Sequence, residues 1–137
     1  MKIEFTIPGK PMGKGRPHFF GGRAVTPEST REYEEMTAML ARTAAKGKSF
    51  PPESALCVTI RAYYPIPKRT PQKTREQMLS GGIRPRIKPD ADNVAKIVLD
   101  ALNRVLYEDD AQAVALYTYK LYGEEPCVVV EVEGITE

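Results

Sequence analysis

The sequence is poor in the residues that build zinc sites and disulfide frameworks. It contains two cysteines, one histidine and no tryptophan among 137 residues. These numbers exclude a Cys/His zinc site and a disulfide-stapled scaffold. Cys57 and Cys127 each fall in an apolar, strand-like run, which favours buried, reduced thiols. We therefore expect a cytoplasmic protein.

Long apolar runs and nucleotide-binding loops are also missing. No apolar stretch approaches the ~20 residues that a membrane span needs, and the N-terminus does not resemble a signal peptide. A Walker loop and a glycine-rich dinucleotide fingerprint are both absent, so nothing supports NTP-driven chemistry. The length predicts a single domain, residues 1–137, with a sizeable core.

Aspartate is confined to one short part of the chain. A net charge of +2 hides this segregation, because the sequence before it is basic. Clustered carboxylates repel each other unless a cation binds them, and Asp suits a hard cation such as Mg²⁺. The aspartates are Asp90, Asp92, Asp100, Asp109 and Asp110.

The spacing around these aspartates predicts a helix. Pro89 disfavours the helical conformation at the residue before it, so the chain should arrive extended. Asp92 or Asn93 can then cap a helix whose apolar residues recur at helical spacing as far as Leu106. The opposite stripe carries Asp92, Lys96 and Asp100, each one turn from the next. Asp90 can reach the same point from the extended arm, beside a helix N-terminus that favours anions.

Each of these residues also has an ordinary structural interpretation. Asp92 can serve only as an N-cap, and Lys96 with Asp100 can form an exposed i,i+4 pair of small energetic value. Asp109 and Asp110 can be a solvated turn. The gathering of every aspartate around a lysine favours a metal site, and the sequence leaves these alternatives open.

Two basic segments are the candidate DNA-binding surface. One is an N-terminal arm rich in Gly and Pro, and the other spans residues 68–88, which we expect to be mobile. The second leads directly into the aspartates, so a polyanion bound there would be delivered to the metal. The predicted DNA-binding residues are Lys10, Lys14, Arg16, Lys68, Arg69, Lys73, Arg75, Arg84, Arg86 and Lys88.

The remaining periodicity predicts an α+β fold. Four strands are predicted from alternating apolar residues, and a helix is predicted to begin with Thr26 as its N-cap and to stop at Gly47. A further short helix is predicted over residues 74–79. We expect a mostly antiparallel sheet of about four strands with the helices on one face. The predicted strands are residues 2–7, 55–64, 114–122 and 127–133.

At these motifs the chain resembles the RusA-type Holliday-junction resolvases, small homodimeric endodeoxyribonucleases of phages and prophages. The matching stretches are residues 9–17, Thr26–Pro27 with Tyr33, residues 88–96, residues 99–102 and residues 107–110. The resemblance implies metal ligation by Asp90, Asp92 and one of the pair Asp109 and Asp110, the second being preferred, with Lys96 as catalytic lysine. It also implies Mg²⁺, with Mn²⁺ able to substitute, and paired nicks in four-way DNA junctions during recombination and repair.

The predicted function is therefore Mg²⁺-dependent hydrolysis of a DNA phosphodiester, with Lys96 stabilising the charge on the phosphate. Two alternatives remain at this point: a non-catalytic nucleic-acid-binding module, and a metal-dependent phosphohydrolase of a small substrate. Symmetric cutting predicts a homodimer. The strands at 114–122 and 127–132 are the expected interface, and the aromatic end at Tyr63–Tyr64 is the second choice.

Overall fold

The computed structural model describes residues 1–15 and 18–135, without the side chains of residues 18–20 and 25. Its centre is a four-stranded sheet built from the strands β1 (Lys2–Pro8), β4 (Leu56–Pro65), β5 (Ala113–Gly123) and β6 (Cys127–Gly134). A separate two-stranded hairpin pairs β2 (His18–Phe20) with β3 (Arg23–Val25).

The strand order in the main sheet is β1-β6-β4-β5. β6 is antiparallel to both β1 and β4, whereas β4 and β5 are parallel. The sheet is thus mixed, with two antiparallel pairings and one parallel pairing. A parallel pair needs a long crossover, and residues 66–112 supply it, because they contain two helices between β4 and β5.

One face of the sheet is buried beneath helices. Apolar residues at every second position of β1, β4 and β6 point to this face, as the alternation in the sequence predicts. Helices α1 (Glu28–Ala45) and α3 (Ala91–Leu102) cover it and pack against each other, and α2 (Gln72–Leu79) has no buried residue. Within the described ranges, no helix is both long and apolar enough to span a membrane.

The predicted helix boundaries need three corrections. Pro27, rather than Thr26, occupies the N-cap position of α1. Asp90, rather than Asp92 or Asn93, occupies that of α3. Helix α3 ends at Leu102 instead of continuing to Leu106, because Arg104 adopts a left-handed conformation with φ 62° and the chain turns there.

Strands β5 and β6 are joined by a short turn but do not pair, because β4 lies between them. β5 is therefore an edge strand, and β6 is an interior strand whose backbone is already paired on both sides. The sheet face opposite the helices carries Tyr117 and Tyr119, which are 52% and 41% exposed.

Candidate active site

Two predicted metal ligands lie at the N-terminus of α3. Asp90 occupies the N-cap position with extended backbone angles, and Asp92 lies in the first turn. The N-cap is bonded only through its backbone: the carbonyl of Asp90 accepts from the amide of Val94 at 3.0 Å, and no side chain caps the helix. Both carboxylates are exposed. The purely capping interpretation of Asp92 therefore does not describe this helix.

The arm that carries Asp90 is held by two strands. The hydroxyl of Tyr64, at the end of β4, donates a hydrogen bond to the carbonyl of Pro89. The ammonium of Lys120, on β5, donates to the carbonyl of Ile87 and lies 5.1 Å from the centroid of the Tyr64 ring. Burial, followed by the nearby Asp90 carboxylate, raises the pKa of Tyr64 to about 12, so it remains a neutral donor at pH 7.

Lys96 and Asp100 form the i,i+4 pair that their spacing predicts. The ammonium of Lys96 lies 3.1 Å from Oδ1 of Asp100, and the Lys96 side chain is 59% exposed. Asp100 is better shielded, at 19% exposed, and its second oxygen lies 3.0 Å from the ammonium of Lys14. Lys14 also donates to Glu34 on α1 at 2.7 Å. One carboxylate thus binds two lysines from distant parts of the chain.

The backbone of residues 11–15 lies directly against α3 and α1. The amide of Lys14 donates to the carbonyl of Asn93 at 3.0 Å, and the amide of Gly15 donates to Thr30 at 3.3 Å. A Cβ at Gly13 would lie 2.9 Å from Cβ of Pro89, and one at Gly15 would lie 2.5 Å from the Thr30 hydroxyl. Only glycine permits this close approach.

Asp109 and Asp110 have different environments. Asp109 accepts from the amide of Ala111 at 3.1 Å and forms a capping box with Gln112 at a 3₁₀ turn, residues Asp110–Gln112. This backbone hydrogen bond and the bond with Asp110 lower the pKa of Asp109. Burial, the bond with Asp109 and repulsion from Asp109 and Asp100 raise the pKa of Asp110. A nearby cation would therefore stabilise the charged form of Asp110 more than that of Asp109.

The donor chemistry fits a hard cation, although the described structure does not gather the ligands. Asp90, Asp92 and Asp110 offer carboxylate oxygens, as Mg²⁺ requires, and no side-chain cap bond engages the first two. Among residues 1–15 and 18–135, however, no three His, Cys, Asp or Glu side chains are close enough to hold one metal ion. The Asp110 backbone is fixed by its amide, which donates to the side chain of Asn103 at 2.8 Å.

Most of the predicted DNA-binding residues are exposed, but two are engaged in the fold. Lys14 is ion-paired as described above, and Arg75 is half-buried and bonded to Glu124 at 2.9 Å. Lys88 lies 3.6 Å from Asp90. Arg16 lies outside the described residues. The remaining predicted cations are exposed, namely Lys10, Lys68, Arg69, Lys73, Arg84 and Arg86.

The sequence matches the family described as Endodeoxyribonuclease RusA over residues 8–133. The chain belongs to the RusA family. Family membership supports nuclease activity and confirms the resemblance inferred from the motifs. The chain is also 33% identical, over 144 aligned positions, to a Bacillus subtilis (strain 168) protein named "Uncharacterized protein YqaN". That alignment covers 98% of this chain and 97% of the relative.

Three residues that support the site in this RusA-family chain were not predicted for that role. Tyr64 was predicted only as part of the second-choice dimer interface, yet its side chain is buried. Asn103 was assigned no role, and Lys14 was predicted as a DNA contact. The signal for Lys14 was present, because a lysine flanked by Gly13 and Gly15 marks a backbone that must pass close to another element. No local pattern indicates Tyr64, whose partner is 25 residues away.

Proposed function

We propose that this RusA-family protein is a Mg²⁺-dependent endodeoxyribonuclease that resolves four-way DNA junctions in recombination and repair, with Mn²⁺ able to substitute. The observation that supports this most is the arrangement at the start of α3. Exposed Asp90, Asp92 and Lys96 directly follow an exposed basic segment, residues 68–88, in a member of an endodeoxyribonuclease family. An open acidic surface reached through a basic one suits a phosphodiester within a large polyanion.

Asp90, Asp92 and Asp110 would hold the metal ion, which when bound acts as a Lewis acid on the scissile phosphate and lowers the pKa of a water molecule. Lys96 then acts on the substrate: its ammonium donates hydrogen bonds to a non-bridging phosphate oxygen and stabilises the charge that develops there. Asp100 orients Nζ of Lys96 through an ion pair of 3.1 Å. The unpaired amides of the first turn of α3 favour an anion at the same place.

We assign the third metal ligand to Asp110 rather than Asp109. The carboxylate of Asp109 already accepts the cap bond of the 3₁₀ turn. Asp110 makes no such bond to the turn and faces the charges of Asp100 and Lys96. Asp109 therefore has a structural role, and Asp110 is available to bind the metal ion.

The exposed cations of the basic segment would bind the DNA backbone. Lys68, Arg69, Lys73, Arg84 and Arg86 are exposed without a described ion pair, so their charges are available to phosphates. Arg75 contributes less, because Glu124 already binds it. Phosphate contacts of this kind make binding weaken steeply as salt concentration rises.

We further propose that the protein acts as a homodimer. One domain with one aspartate cluster cuts one strand at a time, and symmetric resolution of a junction needs two clusters related by a two-fold axis. Between the two predicted interface strands, only β5 has a free edge for pairing, because both sides of β6 are occupied. The exposed Tyr117 and Tyr119 place apolar surface on the same strand.

The geometry bears on both alternatives. A module whose aspartates only cap helices does not account for Asp90 and Asp92, since no side chain caps α3. A small phosphorylated substrate would need an enclosing pocket. A cavity of about 440 Å³ does exist beside residues 52–55 and 108–114, but it shares only Asp109 with the predicted site.

Incubation with a labelled four-way junction tests the proposal. We expect paired nicks with Mg²⁺ and none with EDTA, while a linear duplex of the same sequence is cut far more slowly. Mononucleotides and a generic phosphate ester, assayed in parallel, should not be hydrolysed. Junction binding without any cutting in Mg²⁺ or Mn²⁺ would support the binding-module alternative, and hydrolysis confined to small substrates would support the phosphohydrolase.

A further inference from the structure

The Lys14 ammonium lies between two carboxylates, those of Glu34 and Asp100. It is 2.7 Å from Glu34 and 3.0 Å from Asp100, and only 26% of its side chain is exposed. Burial lowers the pKa of Lys14, but the two carboxylates raise it further, so the net shift is upward and the lysine stays charged. Because its ammonium is already paired with two carboxylates, Lys14 is poorly available to bind a DNA phosphate.

Lys14 and Lys96 each bind a different oxygen of the Asp100 carboxylate. Lys14 binds Oδ2 at 3.0 Å, and Lys96 binds Oδ1 at 3.1 Å. With Oδ2 occupied, the carboxylate cannot rotate freely or offer both oxygens to Lys96. Lys96 is therefore held from one side only, and the rest of its ammonium is exposed toward solvent.

We propose that Lys14 is a positioning residue that fixes the Asp100 carboxylate and, through it, the ammonium of Lys96. The inference rests on the proposed role of Lys96 in the cleavage step. Lys14 itself does not touch the substrate. Its backbone is held independently by Asn93 and Thr30, so removing the side chain leaves residues 11–15 in place.

The charge balance gives the expected effect of removing Lys14. Lys14 and Lys96 together balance Glu34 and Asp100, whereas the Lys14→Met variant leaves one net negative charge beside the reacting phosphate. Without the contact from Lys14 to Oδ2, the Asp100 carboxylate is free to rotate and no longer fixes the Lys96 ammonium. Residues that orient metal ligands are commonly worth about 10–100-fold in activity. By analogy, we expect the loss of a residue that orients Lys96 to lie near the lower end of that range.

The first experiment separates cleavage from binding. The cleavage rate of Lys14→Met on a bound four-way junction in Mg²⁺ should fall on the order of 10-fold, and its junction affinity in Ca²⁺ should change less than twofold. Lys14→Arg, which keeps the charge between the two carboxylates, should recover most of the rate. Lys48→Met, the removal of an exposed lysine after α1, is the matched control. A loss of affinity equal to the loss of rate would overturn the proposal, because it would make Lys14 a phosphate contact.

The second experiment does not depend on activity. NMR relaxation of the Lys96 side chain, measured without metal or DNA, should show greater mobility in Lys14→Met and in Asp100→Asn. Glu34→Gln, which leaves Lys14 bonded to Asp100, should not change it. If Glu34→Gln loosens Lys96 as much as Lys14→Met does, Lys14 only ties the arm to α1 and the proposal fails.

These outcomes also separate the inference from the proposed function. A wild-type protein that cuts no DNA would refute the function, and the Lys96 relaxation would still decide whether Lys14 positions it. If Lys14→Met does not fold, judged by thermal melting, the contrast between Asp100→Asn and Glu34→Gln gives the decision: equal mobility of Lys96 in both variants overturns the proposal.

Discussion

The hydroxyl of Tyr64 donates a hydrogen bond to the carbonyl of Pro89, the residue immediately before Asp90. Together with Lys120, which bonds to the carbonyl of Ile87, it anchors an exposed arm to the rigid sheet. The position of a predicted metal ligand is therefore set by a side chain on β4.

The Tyr64→Phe variant should bind metal and cut DNA less well while remaining folded. One lost hydrogen bond is worth about 1 kcal/mol, so we expect the cleavage rate at subsaturating Mg²⁺ to fall about fivefold. Titration of Mg²⁺ against rate checks this. Tyr33→Phe is a matched control, because Tyr33 is also buried but its hydroxyl has no hydrogen-bond partner among the described residues. Equal behaviour of the two variants would contradict the anchoring role.

Asp92→Asn should abolish cleavage and leave junction binding unchanged or tighter. The carboxamide has nearly the same shape, and no cap bond is lost because the side chain caps nothing in α3. What disappears is the charge that holds Mg²⁺ and repels DNA. Gel-shift binding in Ca²⁺, compared with cleavage in Mg²⁺, measures both effects. Asp90→Asn and Asp110→Asn should behave alike, and Asp109→Asn less severely; a normal rate in Asp92→Asn would remove the metal hypothesis.

Lys96→Ala should lose cleavage without losing metal affinity, since its ammonium acts on the phosphate. Removal of one such charge contact typically costs about 10²–10³ in rate. Lys96→Arg should restore little, because a planar guanidinium does not replace a compact ammonium. Single-turnover kinetics and calorimetric titration of Mg²⁺ are the measurements. A fully active Lys96→Ala variant would assign the residue to the helix surface alone.

Tyr33→Phe should stabilise the protein increasingly as the pH rises above 10. Burial, with a smaller contribution from Cys127, raises the pKa of Tyr33 to about 12 from its ordinary value of 10.0. Between these values the unfolded state loses the tyrosine proton and the folded state keeps it, so wild-type stability falls with pH, and Phe removes this loss. At pH 7 the variant should be within about 1 kcal/mol of wild type or more stable. Urea unfolding at pH 7 and above pH 10 tests this, and a constant difference would contradict it.

Tyr119→Glu should dissociate the proposed dimer. A charge on the exposed face of β5 would be desolvated in an interface but tolerated in a monomer. Analytical ultracentrifugation should show a monomer, and paired junction nicks should become independent single nicks. Met39→Glu changes a residue of α1 that is 58% exposed and serves as control. A wild-type monomer that resolves junctions symmetrically would contradict the dimer.

The sequence predicts the elements of this fold better than their arrangement. Alternation in β1, β4 and β6 identifies the buried face, because a strand with one covered face repeats every two residues. The same pattern cannot indicate which strands are neighbours. The short turn between β5 and β6 suggests a hairpin, yet β4 lies between these strands and pairs in parallel with β5.

For the site, too, the sequence predicts local pairs of residues better than contacts between distant parts of the chain. The local spacing of Lys96 and Asp100 correctly predicts their pairing, since residues four apart meet on a helix. The partners that position these residues come from far away in the chain, as Lys14 does for Asp100. Helix capping was mispredicted because Asp90, Asp92 and Asn93 are all good caps in isolation. The metal-binding roles of the aspartates stay predictions.

The pairing of β1 with β6 has a consequence for synthesis of the protein. The first strand of the chain has no sheet partner until residues 127–134 have left the ribosome, and β4 lacks one of its two neighbours until then. Pairings so distant in sequence are slow to form. We therefore expect a nascent chain to carry its aspartates and lysines without the completed sheet that supports them until its last strand is made.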